Sequence, residues 1–414
     1  MASPLALREV RVKTGSTFRT EHQNAASSDW NAVDGTATKL RVTVYDDSGL
    51  VQEGLEDESL QTRMHAKDAP YEGLRGGTIK LAGYLGGAHA NVDWSVGAII
   101  ANALLGGCVN PTTARSTVVI AGTITTLNIP YDASLANVVA GQAMLLGTRG
   151  DGRGGGEVKP IASVTANAAQ LDVAAAVAPN AGDAIVFSTT AYLDEDVAQT
   201  YIDGLGIGHA TADQRQWIGG AGGLSITGLV PGEAPVMETE LMVGDHQYVP
   251  TGDRTTLSHA VSPQGNDPAT ERGLGMFQVS DHDSTTRTLV KGGDITFESG
   301  VAVEAFPNHA GLNGLGGFQR IPGVPKMEFT LLYDEDMLGL RDDFTGQTAK
   351  LIIYQTGTSA TKTAAIEFPK AYLDAAPVPA ALGNFSGVKI VVHGTEDFVA
   401  SDNLLSSAVR IHWF

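Results

Sequence analysis

Short runs of alternating apolar and polar residues, each fenced by glycine or another turn former, recur from one end of the chain to the other. "GGTIKLAGYLGG", "APVMETELMVG" and "GVPKMEFTLL" are three of them. A side-chain period of two belongs to a β-strand with one buried face, and runs this short need many turns. Glycine supplies 50 of the 414 residues while charged residues make up 18%, a balance that suits tight turns better than long solvated helices. The length exceeds that of one ordinary domain, and 43% hydrophobic residues suffice for a folded core. The expectation is a mainly β protein of two or three units.

Read along the chain, residues 10–45 alternate in "REVRVKTGSTF" and "ATKLRVTVYDD", whereas residues 46–75 are polar and irregular and read as a long loop. In "NVDWSVGAIIANALLGG", Asp93 is placed to cap a helix, Trp94, Ala98, Ala101 and Leu105 share an apolar face, and Gly106 and Gly107 stop it. At residues 117–192 the composition shifts to short strands joined by Gly- and Asn-containing turns. That segment reads as a small β-domain inserted into a host, with "RGDGRGGGE" as an exposed hairpin tip. Residues 193–248 return to strand character and complete the unit begun by 1–116. Residues 249–290 are polar and turn-rich and read as a linker or arm. Residues 291–414 form a second unit: a strand, a short helix in "YDEDMLGLRDDFTGQ" capped near Asp334, then further strands ending in "SSAVRIHWF". An internal echo matches Val230-Pro231 with Val324-Pro325 and Met237-Glu238 with Met327-Glu328. The first copy follows its helix and the second precedes its own.

Motifs that carry chemistry are scarce. H-E-x-x-H, G-x-S-x-G and phosphate-loop spacings are missing. "GLGIGH" lacks the third-glycine spacing of a dinucleotide loop and stands among strands. His282 between aspartates and His246 beside Asp245 have no second histidine at ligand spacing. The acidic runs Asp194–Asp196 and Asp334–Asp336 could pair as hydrolytic carboxylates, but the second more simply caps a helix. Cys108 is the sole cysteine, so one chain holds no disulfide framework. The formal net charge is −19, which argues against a phosphate-clamping surface. No run of apolar residues is long enough to span a bilayer, and a product made in the cytoplasm is expected. No catalytic residue, cofactor or metal is expected, and no membrane binding.

Three stretches carry a resemblance: "GGAGGLSITGLVPGEAPVMETEL"; the order "GVPKMEFTLLYDED", helix, "AKLIIYQTG"; and "AIEFPKAYLDAAPVPAALGNFSGVKIVVHGTED" before a last strand. Over residues 70–116 and 193–414 the chain resembles the tail tube (major tail) proteins of long-tailed bacteriophages, in particular the larger, duplicated ones. The resemblance implies two tandem tail-tube-type β-barrel or sandwich units, each with a short packed helix, with the insert outside. It implies a virion protein of the tail, made in the host cytoplasm and without enzymatic activity. Trimeric or hexameric rings would stack around a channel for DNA, with tape measure and terminator proteins as further partners. An acidic lumen would let DNA pass, because each fixed cation would add a phosphate contact. Glu238 and Glu240 fall on one face of a strand, opposite Met237, Thr239 and Leu241. They are the leading lumen candidates, with Glu328 as their echo; an ordinary solvent face would look the same. The alternatives are a capsid decoration or receptor-binding tail protein, or a carbohydrate-binding β-protein.

Overall fold

The computed structural model describes residues 9–15, 38–40, 42–55, 71–85, 96–109, 116–118, 121–123, 125–128, 138–147, 156–165, 168–172, 175, 178–208, 214–229, 233–254, 276–282, 287–307, 315–321, 323–357, 363–397 and 402–414. The fold is mainly β, and the described strands pair antiparallel. The first elements are β1 (Glu9–Gly15), β2 (Thr38–Leu40), β3 (Val44–Leu55), β4 (Tyr71–Tyr84), α1 (Val96–Leu105) and β5 (Gly106–Val109). Helix α1 stops where Gly106 takes φ +106°, a conformation that favours glycine. Asp93, the expected cap, lies outside the described residues.

Seven strands then form a sheet of their own: β6 (Ser116–Val118), β7 (Ala121–Gly122), β8 (Thr126–Asn128), β9 (Ala143–Leu146), β10 (Glu157–Thr165), β11 (Ala168–Leu171) and β12 (Ala184–Phe187), in the order β6-β12-β9-β10-β11-β8-β7. This sheet ends at Phe187, short of the expected boundary at 192, because β13 (Thr189–Leu193) pairs with β5 back in the main sheet. Entry and exit are adjacent, with Ser116 opposite Val186. β9 and β10 pair on either side of the "RGDGRGGGE" tip, most of which lies outside the described residues.

The chain continues through β14 (Tyr201–Ile207), β15 (Gln214–Gly222), β16 (Ser225–Thr227), β17 (Val236–Val243) and β18 (Asp245–Tyr248). The "GLGI" part of "GLGIGH" lies in β14, and Gly204 is required by a close approach: a Cβ would stand 1.9 Å from Cζ2 of the buried Trp217. The remaining elements are β19 (Met276–Asp281), β20 (Arg287–Leu289), β21 (Gly292–Glu298), β22 (Ala302–Pro307), β23 (Leu315–Ile321), β24 (Lys326–Leu332), α2 (Glu335–Thr345), β25 (Lys350–Thr356), β26 (Ala364–Leu382), β27 (Phe385–Gly394), α3 (Asn403–Ser406) and β28 (Arg410–Trp413). The Asp334 carboxylate caps α2 as expected, accepting from the Met337 N–H at 3.0 Å.

The same pairing scheme appears twice. β1 pairs with β2 and β14, β14 with β15, β3 with β4, and β4 with β17; β17 and β18 return along β16 and β15. Likewise β19 pairs with β20 and β25, β25 with β26, β21 with β24, and β24 with β27; β27 returns along β26. A helix follows β4 in one set and β24 in the other. The two sets join edge to edge, with Ser225 opposite Glu298 and Ile226 opposite Phe297. One sheet therefore runs β3-β4-β17-β16-β21-β24-β27-β26. Its inner face carries Ile79, Leu81, Met237, Phe297, Phe329 and Ile390 into a single core shared with α1 and α2.

Three expectations change. The loop expected at 46–75 is strand to Leu55 and again from Tyr71: the "DDSG" run is absorbed by a register shift between Asp46 and Gly49 rather than ending the strand. In the expected arm 249–290, Met276–Asp281 and Arg287–Leu289 are strands of the main sheet, because Phe277 and Val279 are core residues despite polar surroundings; residues 255–275 lie outside the described ones. The echo is misregistered. β17 answers to β27, and β24 to β4, so Glu328 stands in the place of Lys80 rather than of Glu238.

Candidate functional site

An antiparallel sheet with one buried face presents its other face to solvent, and here that face concentrates exposed charge. On β17, Met237, Thr239 and Leu241 are buried while Glu238 and Glu240 are exposed, the alternation expected of them. Glu240 lies opposite Lys80 of β4 and pairs with it at 3.6 Å, both side chains more than half exposed (55% and 60%). Asp46 of β3 flanks the same lysine. Its carboxyl is held below the usual range, mainly by hydrogen bonds from Ser48 and less by Lys80. Glu238 sits between Ala82 and Ser225, and Ser225 in turn faces Glu298 of β21. Glu238 and Glu298 thus flank a serine across the joint between the two strand sets, and neither has a cation partner among the described residues. With Lys80 and Glu240 they line an open depression of about 530 Å³.

Glu328 lies on the same face but away from that depression. It stands opposite Thr296 and Val391 and is neutralised by Lys389 at 2.5 Å. Beside it, Lys326 pairs with Asp374 at 2.8 Å, and Asp374 approaches His393 at 3.5 Å. Carboxylates Asp46, Glu238, Glu240, Glu298, Glu328 and Asp374 outnumber the ammonium groups of Lys80, Lys326 and Lys389. Among the described residues the face is acidic, and these three cations are each matched. Glu298 and Asp374 were missed in sequence, although "DITFE" alternates and assigns Glu298 to the outward set.

A second cluster has the parts of a nucleophile relay. The Thr190 hydroxyl lies 2.9 Å from His412 Nδ1, His412 Nε2 lies 2.8 Å from Glu367 Oε2, and Arg410 Nη1 donates to Glu367 Oε1 at 2.7 Å. Ser188 Oγ joins Thr190 at 2.8 Å and accepts the Ala143 N–H of β9. His412 and Glu367 are wholly buried. Burial raises the Glu367 pKa, but Arg410 and His412 outweigh it and hold the carboxyl low; burial pushes His412 down. A substrate has no route to these atoms, so the relay ties β13, β26, β28 and the small sheet together.

The other sequence candidates are structural as well. His282 Nδ1 lies 2.9 Å from the Pro369 carbonyl oxygen, and His246 Nε2 lies 3.2 Å from that of Val51. Among the described residues no three His, Cys, Asp or Glu side chains converge on a metal position. No helix among them is long and apolar enough to cross a membrane. No protein-family model matches the chain, and no curated protein matches it.

Proposed function

We propose that this chain is a structural virion protein of a long-tailed bacteriophage, polymerising as stacked rings into the tail tube through which DNA is delivered. On this reading it does no chemistry. It is made in the host cytoplasm, and its further partners are tape measure and terminator proteins. The observation that carries the proposal is the β16–β21 joint. The chain repeats one strand set and seals the two sets edge to edge, while β3 and the outer half of β26 have no second strand beside them among the described residues. A second copy bringing β3 to β26 would repeat between chains the joint already made within one. Such a contact is head-to-tail, so it closes into a ring when its rotation divides a full turn. Two sets per chain make three copies the natural pseudo-sixfold ring, with the acidic face as lumen.

The test is electron microscopy of the concentrated protein, with the mass of single rings measured in parallel. Tubes built from three-chain rings are expected. Compact spikes or caps would favour a decoration or receptor-binding protein, and a lasting monomer would remove the tube reading.

A further inference from the structure

The outer edge of β26 differs from its counterpart in one respect that bears on how a second copy is admitted. The β4–β17 ladder ends at Tyr84 opposite Val236, and the β24–β27 ladder ends at Leu332 opposite Gly387. Counted from those ends, Glu238 corresponds to Lys389. Ser225 and Ile226, the residues of the internal joint, then correspond to Val378 and Pro379. A proline is tolerated in a paired strand where its nitrogen faces away from the neighbour. Pro379 stands opposite Val388 within a paired run from Val378 to Leu382, so its nitrogen turns to the outer edge. Where Ile226 offers β21 an N–H, Pro379 offers an incoming strand none.

The surroundings need such a device. From Ala375 to Val388 the chain carries no charged residue. Val378 is 56% exposed and Phe385 68% exposed at the end of this hairpin. An apolar, uncharged, unpaired edge is a template for indiscriminate strand addition, and proline is a recognised means of blunting one.

Resting on the self-assembly reading above, we infer that Pro379 sets the threshold and register of assembly, by leaving the edge that receives β3 of a second copy able to accept hydrogen bonds but short of a donor. The joint between chains is then weaker than the joint within one, and it forms only where the rest of the ring interface reinforces it.

The experiment uses the full chain at graded concentrations, with sedimentation velocity and electron microscopy as readouts and thermal melting as a check on folding. Pro379→Ala restores the donor at that position, Pro377 being left in place. Its assembly threshold should fall by up to about tenfold, the worth of one backbone hydrogen bond, with irregular fibres appearing beside rings. Ala381→Pro removes a donor from the same edge, since Ala381 shares the orientation of Pro379, and should raise the threshold. If Ala381→Pro does not fold, Pro379→Ala alone decides. Assembly of the parent and Pro379→Ala at one threshold, with identical products, overturns this inference and leaves the tube reading standing. Failure of every form to assemble overturns both.

Discussion

Glu367 is fully buried, and its charge is maintained by Arg410 on one oxygen and His412 on the other. Removing one partner of a buried ionic group leaves the other uncompensated, so Glu367→Gln should cost about 3 kcal/mol, read from urea unfolding at neutral pH. The proton balance gives a second expectation. His412 titrates lower in the fold than its unfolded value of about 6.5, so between those two values the unfolded chain binds more protons and stability falls as pH falls. Glu367 is also depressed, and it removes further stability as pH drops below the unfolded glutamate value of about 4.3. Melting curves between pH 8 and pH 5 should therefore slope downward on the acid side, by up to about 1.4 kcal/mol per pH unit. In His412→Gln the slope between pH 6.5 and 5 should vanish. A parent that is flat over that window would show that His412 does not titrate there. Gly204 gives a cruder check: Gly204→Ala drives a methyl into the Trp217 ring and should cost about 1–3 kcal/mol.

At the scale of elements, the small sheet is less detachable than an outside decoration would be. Ala143, Leu145 and Val158 pack on Leu351, Ile353, Ala365 and Phe414 of the main body. Lys159, fully buried, spans the same contact to Gln278 at 3.0 Å while pairing with Glu157 at 2.9 Å. Burial draws its pKa down to about 7. The adjacency of Ser116 and Val186 makes excision geometrically easy, but it would uncover the apolar patch. Replacing 117–187 with a Gly/Ser linker should yield a protein that aggregates at concentrations where the parent is soluble, as followed by light scattering. Equal solubility of the two would mean that the contact contributes little. The change in strand length and turn composition points to a separate run of strands but overruns its end at Phe187; the docking left no signal, because β9 is apolar at every position and a strand buried on both faces gives no period. Elsewhere, legibility followed the strength of local signals. β17 alternates cleanly and α2 begins at a capping aspartate. The β3–β4 hairpin hid behind a polar bulge, and the repeat was misread because Val-Pro and Met-Glu matched where pairing did not. Register is a property of partners, which a local echo does not contain.

For the whole molecule the sign of the exposed face matters more than any one group on it. Duplex DNA presents a charge about every 1.7 Å of its axis, and each cation it meets releases counterions and adds affinity. On this face Lys80, Lys326 and Lys389 are each held by a carboxylate, while Glu238 and Glu298 form no ion pair among the described residues, although Glu298 stands opposite Lys326. Converting those two to lysine tests the lumen assignment more sharply than changing Glu240 or Glu328, whose loss also frees a lysine. Both positions are exposed, so Glu238→Lys with Glu298→Lys should alter stability by less than about 0.5 kcal/mol each, and tube length should be unchanged. A three-chain ring would offer on the order of six new phosphate contacts. If the chain forms the proposed tube, DNA held in it should then be released more slowly, with affinity falling by about a thousandfold between roughly 50 and 200 mM salt. The measurement is ejection rate from particles, or retention of DNA by assembled tubes, across that salt range. Normal tails with unaltered release at the low-salt end would place this face outside the channel, and the acidic sheet would then be the outer surface of the assembly.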